Sequence, residues 1–237
     1  MRIGFDNEKY LKMQSEHIRS RINKFDNKLY LEFGGKLFDD YHASRVLPGF
    51  SPDSKLRLLK ELSAQAEIVI VISAKDIEKN KIRGDLGITY DSDVLRLIDT
   101  YREQGLYVGS VTITQFSGQE SALLFKNRLE KLNIPVYLHY VIPGYPSNVP
   151  LIISDNGYGK NDYIRTMRPL VIVTAPGPGS GKVAPCRSQL DLETKRETHA
   201  GHANFATFPS RKLPSNNRVK RADEAATAPF TCVNSIE

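Results

Sequence analysis

Apolar side chains recur along the first part of the chain at spacings that predict helices. In residues 6–25, Leu11, Ile18 and Ile22 follow one another at intervals of seven and four, which places them on one face of a helix. Three more segments carry a comparable stripe behind a helix-start signal, such as a serine before a proline or a capping box. These predicted helices begin at Ser51, Asp91 and Ser117.

Between the helical segments lie short runs that are almost entirely apolar. Every residue of Ile68–Ile72 is apolar, which is typical of a strand buried on both faces in the middle of a parallel sheet. Other strands are predicted at 29–33, 108–114, 136–142 and, as the last one, 170–174. The alternation of strands and helices favours a three-layer α/β fold, with a mostly parallel, Rossmann-like sheet and helices on both faces.

After about residue 190 the sequence becomes polar. Residues 191–237 include only eight large apolar side chains, with no regular period, which is too few for a core. We therefore predict an α/β domain at residues 1–190 and an irregular, poorly ordered tail at 191–237. The alternative is that this tail packs against something that the chain lacks.

The composition favours a cytoplasmic protein. No segment approaches the roughly 18 apolar residues of a membrane span, and the first residues lack the apolar core of a secretory signal. The two cysteines are too few for a disulfide framework. The net charge is +6, but the basic residues are interleaved with acids, so we expect a solvated surface and neither a nucleic-acid nor a membrane partner. A phosphate-bearing small molecule fits this charge equally well.

The segment TAPGPGSGKVAPC, which begins at Thr174, follows the last predicted strand and resembles part of a phosphate-binding loop. Such loops have the pattern G-x-x-x-x-G-K-[ST] between a strand and a helix. Gly181 and Lys182 match, but Pro176 stands at the first glycine position and Val183 at the hydroxyl position. Half of the pattern is therefore present, and three interpretations stay open: a phosphate or nucleotide cradle at 174–182, a tight structural turn, or a site for some other anion.

In the first interpretation, consecutive backbone N–H groups and a lysine surround an anion at a helix N-terminus. ATP or another nucleotide is then the expected cofactor, and Mg²⁺ lacks its Ser/Thr ligand because a valine follows Lys182. The ligand-binding residues of this cradle would be Gly177, Gly179, Ser180, Gly181 and Lys182.

Two other stretches place charged residues just after predicted strands, where open α/β sheets bind ligands. Lys36, Asp39 and His42 follow the strand at 29–33, and Arg83 and Asp85 follow Ile68–Ile72. Lys36 and Arg83 are candidate anion-binding residues, whereas Asp39, His42 and Asp85 are candidate catalytic residues. The alternative for both stretches is exposed helix residues and an Arg–Asp surface pair.

The histidines give no metal site. His139 lies inside the strand predicted at 136–142 and is interpreted as a packed core residue. His199 and His202 lie in the predicted tail, and Glu197 is the only acid or thiol at a metal-ligand spacing from them.

Several long strings carry a resemblance to a known family: GFDNEKYLKMQSEHIRSRI, KLYLEFGGKLFDDYHASRVLPGF, IEKNKIRGDLGITYD and RPLVIVTAPGPGSGK. Over residues 3–182 the chain resembles the bacterial domain of unknown function 1846 family, also called uncharacterised protein family 0371. The resemblance implies an α/β domain within a longer cytosolic chain that forms homo-oligomers. It supplies no reaction, so whether the protein is an enzyme stays open.

Two departures from the family follow from the same resemblance. The chain stops where family members continue for about as many residues again, and its sequence beyond Val183 follows them poorly, so the tail is interpreted as the remnant of a truncated chain. An apolar residue after the loop lysine suits the family, which argues against Mg²⁺-dependent phosphate-loop chemistry.

Two hypotheses about function follow. The first is binding of a phosphate-bearing small molecule at 174–182, with phosphoryl or nucleotidyl transfer or hydrolysis as the reaction class if there is one. The second is a non-catalytic structural or assembly module, in which the glycine-rich loop is a close-packing turn.

Overall fold

A computed structural model of the chain describes residues 2–34, 49–205 and 233–236. Its strands are β1 (Arg2–Phe5), β2 (Leu29–Phe33), β3 (Ala66–Ser73), β4 (Ile82–Arg83), β5 (Ile88–Thr89), β6 (Tyr107–Phe116), β7 (Val136–Tyr140), β8 (Leu170–Thr174), β9 (Gly201–Phe205) and β10 (Val233–Ile236). Its α-helices are α1 (Asn7–Lys24), α2 (Ser54–Glu61), α3 (Ala74–Glu78), α4 (Tyr90–Glu103), α5 (Glu120–Lys131), α6 (Val149–Ile152) and α7 (Val183–Thr194). Among the described residues, no helix has the length and apolar content to cross a membrane.

Six strands form one parallel sheet, in the order β7-β6-β3-β8-β2-β9. The predicted α/β fold with a Rossmann-like parallel sheet is therefore confirmed. Every residue of β3 is buried, as the unbroken apolar run predicts for a central strand. Two short antiparallel pairs, β1 with β10 and β4 with β5, lie outside this sheet.

The two faces of the sheet form separate cores because alternate residues of a strand point to opposite faces. Ile70 and Ile172 belong to the larger core, beneath α1, α2, α4 and α5. Val71 and Val173 belong to a smaller core on the other face, where Cys186 of α7 packs against them. Helices therefore cover both faces, and α7 lies opposite α4.

The position of α7 follows from the handedness of parallel connections. From β2 through β3 and β6 to β7 the chain moves towards one edge of the sheet, and right-handed connections place these helices on one face. The chain then returns to insert β8 between β3 and β2 and continues to β9 at the other edge. Because the direction is reversed, α7 lies on the second face. The connections after β3 and β8 thus leave on opposite sides, which opens a crevice at the carboxyl ends of these strands.

The sheet continues beyond the strand predicted to be its last. Helix α7 ends at Thr194, and β9 then pairs in parallel with β2. The prediction that 170–174 is the final strand is therefore wrong, and the ordered sheet extends past residue 190. Only Gly201, Ala203 and Phe205 of β9 are fully buried, which is why the segment does not resemble a core strand in sequence. Residues 206–232 of the predicted tail lie outside the described residues.

Three predicted helix starts are shifted along the chain. Helix α2 begins at Ser54 rather than Ser51, because the Ser54 amide donates to the Ser51 carbonyl in a turn. Helix α4 begins at Tyr90, with Thr89 in the capping position, and α5 begins at Glu120. The helices themselves are confirmed.

Replacing Phe205 with alanine tests whether β9 is an integral part of the core. The ring is fully buried and stacks on Phe33, with centroids 4.6 Å apart and an interplanar angle of 14°. We expect Phe205→Ala to lower the free energy of unfolding by about 3–5 kcal/mol, measured by urea denaturation. Leu124→Ala, at a side chain that is 63% exposed, is the control and should change it by less than about 0.5 kcal/mol. Equal effects of the two variants would contradict a structural role for β9.

Candidate functional site

The glycine-rich loop connects β8 to α7 by crossing above β3. It leaves the sheet at Thr174 and reaches β6, where the Ser180 carbonyl accepts a 2.6 Å hydrogen bond from the Thr114 hydroxyl. Gly179 and Gly181 have φ angles of +82° and +77°, which side chains other than glycine rarely adopt. These two glycines therefore allow the chain to turn from the strand into the helix.

Gly177 is needed for a different reason, which is close packing. A Cβ atom at this position would overlap the hydroxyl of Tyr90, the first residue of α4. The Tyr90 ring is in turn covered by Lys81, whose Nζ lies 4.7 Å from the ring centroid. The loop is thus packed directly against the amino end of α4.

A cleft of about 430 Å³ lies between this loop and the segment that follows β3. It occupies the crevice at the carboxyl ends of β3 and β8, where open α/β sheets bind ligands. Six residues carry most of its chemistry: Arg83, Asp85, Arg96, Tyr101, Gly177 and Lys182. The structure therefore brings the predicted residues Gly177, Lys182, Arg83 and Asp85 around one opening.

A buried carboxylate organises one wall of the cleft. Asp93 is fully buried and accepts hydrogen bonds of 2.7 Å from both Arg83 and Arg96. Arg83 also donates to both carboxylate oxygens of Asp85, at 2.9 and 3.2 Å. Burial opposes the charge on Arg83, but its hydrogen bonds to the two aspartates outweigh this effect and raise its pKa. Three of its five N–H donors are used in this way.

The opposite wall offers hydrogen-bond donors that lack acceptors. In the described part of the chain, no carboxylate lies within 4.0 Å of the Lys182 ammonium. The backbone N–H group of Lys182 likewise donates to no described residue. The N–H groups of Gly179 and Gly181 also lack a described acceptor, but neither glycine lines the cleft. These groups lie at the amino end of α7, which spans 12 residues and carries a partial positive charge there. The arrangement attracts an anion.

Not every predicted site residue is available in the structure. Ser180 is buried, and its hydroxyl donates to the Gly177 carbonyl at 3.2 Å, so its side chain holds the loop together and faces away from the cleft. Asp85 is paired with Arg83. Lys36, Asp39 and His42 lie outside the described residues.

Sequence reasoning missed Asp93 and Arg96, because the helix that contains them was predicted from its apolar residues alone. The missed signal is an acid on the inner face of that helix, where an apolar residue is expected, with an arginine three positions later. A buried acid requires a cationic partner. Arg83, ten residues upstream, supplies it through the β4–β5 turn.

His139 is buried, as predicted for a histidine within a strand. It is 2% exposed, and its Nε2 atom lies 3.1 Å from the Asp162 carbonyl oxygen. Burial lowers its pKa to about 4, since the charged imidazolium loses its hydration there. The ring is therefore neutral at pH 7.

Fold and cleft together define a doubly wound α/β protein with a crevice at the point where the strand order reverses. The chain belongs to the family described as "Domain of unknown function DUF1846, N-terminal", whose model matches residues 3–237. It is 57% identical over 236 residues to a UPF0371 protein of Streptococcus sanguinis (strain SK36); the aligned region covers 100% of this chain and 48% of that protein. It is 55% identical over 234 residues to a UPF0371 protein of Streptococcus pneumoniae (strain Hungary19A-6); here the aligned region covers 99% of this chain and 47% of that protein.

These comparisons confirm the resemblance and correct its extent. The match continues past Lys182 through residue 237, so the tail belongs to the family region. The interpretation of the tail as the remnant of a truncated chain has no support. The chain spans about half the length of the curated relatives it matches.

Replacing Asp93 tests the buried carboxylate. In Asp93→Asn two arginines lose their shared counter-charge, one of them with a side chain that is only 13% exposed. We expect the free energy of unfolding to fall by about 3 kcal/mol, measured by urea denaturation at neutral pH. Asp99→Asn on the exposed side of the same helix is the matched control and should have little effect. An unchanged free energy of unfolding in Asp93→Asn would contradict the role of Asp93 in organising this wall.

His139 also predicts a pH dependence of stability. Its pKa of about 4 in the folded state, against an ordinary value of 6.5, means that the unfolded chain binds more protons between these values. Stability is therefore complete above pH 6.5 and falls as the pH drops towards 4, by on the order of 3 kcal/mol from this residue. His139→Gln should show a smaller loss between pH 7 and 4.5, whereas His17→Gln, at an exposed position, should retain the wild-type slope. Parallel slopes for His139→Gln and the wild type would refute the assignment.

Proposed function

We propose that the protein binds a phosphate-bearing small molecule, with a nucleotide as the leading candidate, in the cleft between residues 174–182 and α4. The observation that carries the proposal is the set of donors without acceptors at the amino end of α7. The backbone N–H group and the ammonium of Lys182 line the crevice of a doubly wound sheet there, and the N–H groups of Gly179 and Gly181 precede them in the loop. A phosphate group supplies the negative oxygens that such donors pair with.

The arginine wall adds to the attraction for an anion. Arg83 and Arg96 line the cleft and are held in place by Asp93, which lies behind them. Because Arg83 has two N–H donors left after its three hydrogen bonds, it retains the capacity to bind a phosphate oxygen. Its position is fixed before the ligand arrives, which lowers the entropy cost of binding.

The remaining lining suits the organic part of such a ligand. Tyr90, Leu97, Tyr101 and the two prolines of the loop, Pro176 and Pro178, form an apolar boundary of the cleft. A volume of about 430 Å³ lies within the roughly 300–1,000 Å³ of typical small-molecule sites. The cleft therefore combines an apolar wall with a few charged groups, as ligand sites generally do.

The proposal concerns binding, and it includes no magnesium-dependent step. Val183 stands where a phosphate-loop NTPase has its metal-binding hydroxyl residue. Asp85 and Asp93 are both paired with arginine, so neither is a free general base.

Lys182→Ala tests the proposal directly. We expect it to weaken binding of a phosphate-bearing ligand about tenfold or more, because a charge-assisted hydrogen bond contributes about 1.5–3 kcal/mol. The measurement is isothermal titration calorimetry with ATP, GTP, NAD and inorganic phosphate, each with and without Mg²⁺.

Lys79→Ala, at an exposed lysine outside the cleft, is the matched control and should leave the affinity unchanged. If the wild type binds none of these ligands, or binds one equally well after Lys182→Ala, the proposal is wrong. The glycine-rich loop is then a close-packing turn.

A further inference from the structure

A second cavity lies on the other side of the glycine-rich loop. It has a volume of about 240 Å³ and is bounded by the carboxyl ends of β6 and β7, by residues 140–145 and by the start of α7. Gly181 and Ala184 border this cavity, whereas Lys182 borders the cleft described above. The loop is thus the wall between two openings.

His139 lines this cavity and carries an unpaired acceptor. Its Nε2 lies 3.1 Å from the Asp162 carbonyl oxygen, which only accepts, so Nε2 carries the proton and donates. In the neutral ring Nδ1 then has a free lone pair. This atom is buried and has no hydrogen-bond partner among the described residues. Leaving such an acceptor unpaired costs about 1–3 kcal/mol, and native structures rarely tolerate it.

The other polar groups around the cavity do not supply a hydrogen-bond donor to Nδ1 of His139. The Asn161 side chain is held in place, since it accepts from the Tyr140 amide at 2.8 Å and donates to the Ser188 hydroxyl at 3.0 Å, and neither of its N–H groups bonds to His139. The Thr114 hydroxyl is used by the loop. The described side chains around the cavity therefore supply no donor to His139 Nδ1, and a donor from outside them would satisfy this atom.

The lining also restricts the charge of the occupant. No carboxylate among the described residues lines the cavity, so nothing there balances a cation. An anion is disfavoured at the inner wall, because a negative oxygen would face the lone pair of Nδ1. A neutral donor such as a hydroxyl satisfies both conditions.

The outer part of the cavity suits a small carbon skeleton with several hydroxyl groups. Tyr140 and Tyr145 provide aromatic walls, and Val141 and Ile142 provide apolar ones. Gln115 and Lys75 add a side-chain amide and an ammonium, both of which donate to hydroxyl oxygens. A small-molecule site typically has an apolar wall with a small number of convergent polar groups.

We propose that this cavity is a second ligand site, which binds a sugar or small polyol with one hydroxyl donating to Nδ1 of His139. The site does not depend on the phosphate cleft, since the two openings lie on opposite sides of the loop. The ligand of each can therefore be tested without the other.

The test uses the whole chain labelled with ¹⁵N at its histidines, and NMR of the imidazole nitrogens at pH 7. His139 should be in the neutral Nε2–H form. Adding glycerol, D-ribose or D-glucose should shift the His139 Nδ1 resonance in a saturable manner with at least one of them, whereas inorganic phosphate should not. An Nδ1–H form, or no saturable shift with any of the three polyols, would overturn the proposal.

His139→Gln supplies the matching affinity measurement, because it keeps a side-chain N–H for Asp162 but removes the ring acceptor. Its affinity for the active polyol, measured by ligand-observed NMR, should fall about fivefold or more, the effect of one hydrogen bond. His17→Gln should bind as the wild type does. Unchanged polyol affinity in a folded His139→Gln protein would contradict the proposal, and if this variant does not fold, the wild-type NMR result decides. Nucleotide binding in the cleft should be unaffected by His139→Gln, so failure of one site is distinguishable from failure of the other.

Discussion

The insertion of β8 between β3 and β2 is the constraint on which the rest of the structure depends. A right-handed parallel connection that reverses its direction must change faces of the sheet. The segment after β8 therefore leads to α7 on the face opposite α4, and it first crosses β3 to reach Thr114 on β6. This path requires positive φ angles at Gly179 and Gly181. The glycines thus follow from the topology whether or not a ligand is bound.

Buried charge then determines the shape of the cleft beside this loop. A carboxylate as deeply buried as Asp93 is stable only with cationic partners, and it draws Arg83 and Arg96 to one wall. The two arginine side chains, which would otherwise extend into solvent, are thereby held near the carboxyl end of β3. Tyr90, at the amino end of α4, packs against Gly177 and so fixes the position of the loop relative to this helix. The opening is bounded by contacts that exist without a ligand.

Elements whose buried residues recur at a regular spacing could be predicted from the sequence. Features that depend on contacts between residues far apart in the chain could not. The run Ile68–Ile72 identified the central strand because both of its faces are buried. Strand β9 was missed because an edge strand needs few apolar residues, and Phe205 finds its partner Phe33 far away in the chain. The glycine-rich loop was located correctly between a strand and a helix, but no spacing could show that the Ser180 side chain turns inwards. Asp93 was missed for a similar reason, since its partner Arg83 belongs to another element.

The same loop forms a wall of both cavities. Gly181 borders the cavity beside His139, and the next residue, Lys182, borders the cleft. One planar peptide unit joins these two residues, so neighbouring positions of the loop serve different openings. The hydrogen bond from Thr114 fixes the carbonyl of Ser180 immediately before them. The wall between the openings is therefore held by a contact within the protein itself. The two openings are therefore defined by one backbone path, while the side chains that line them differ.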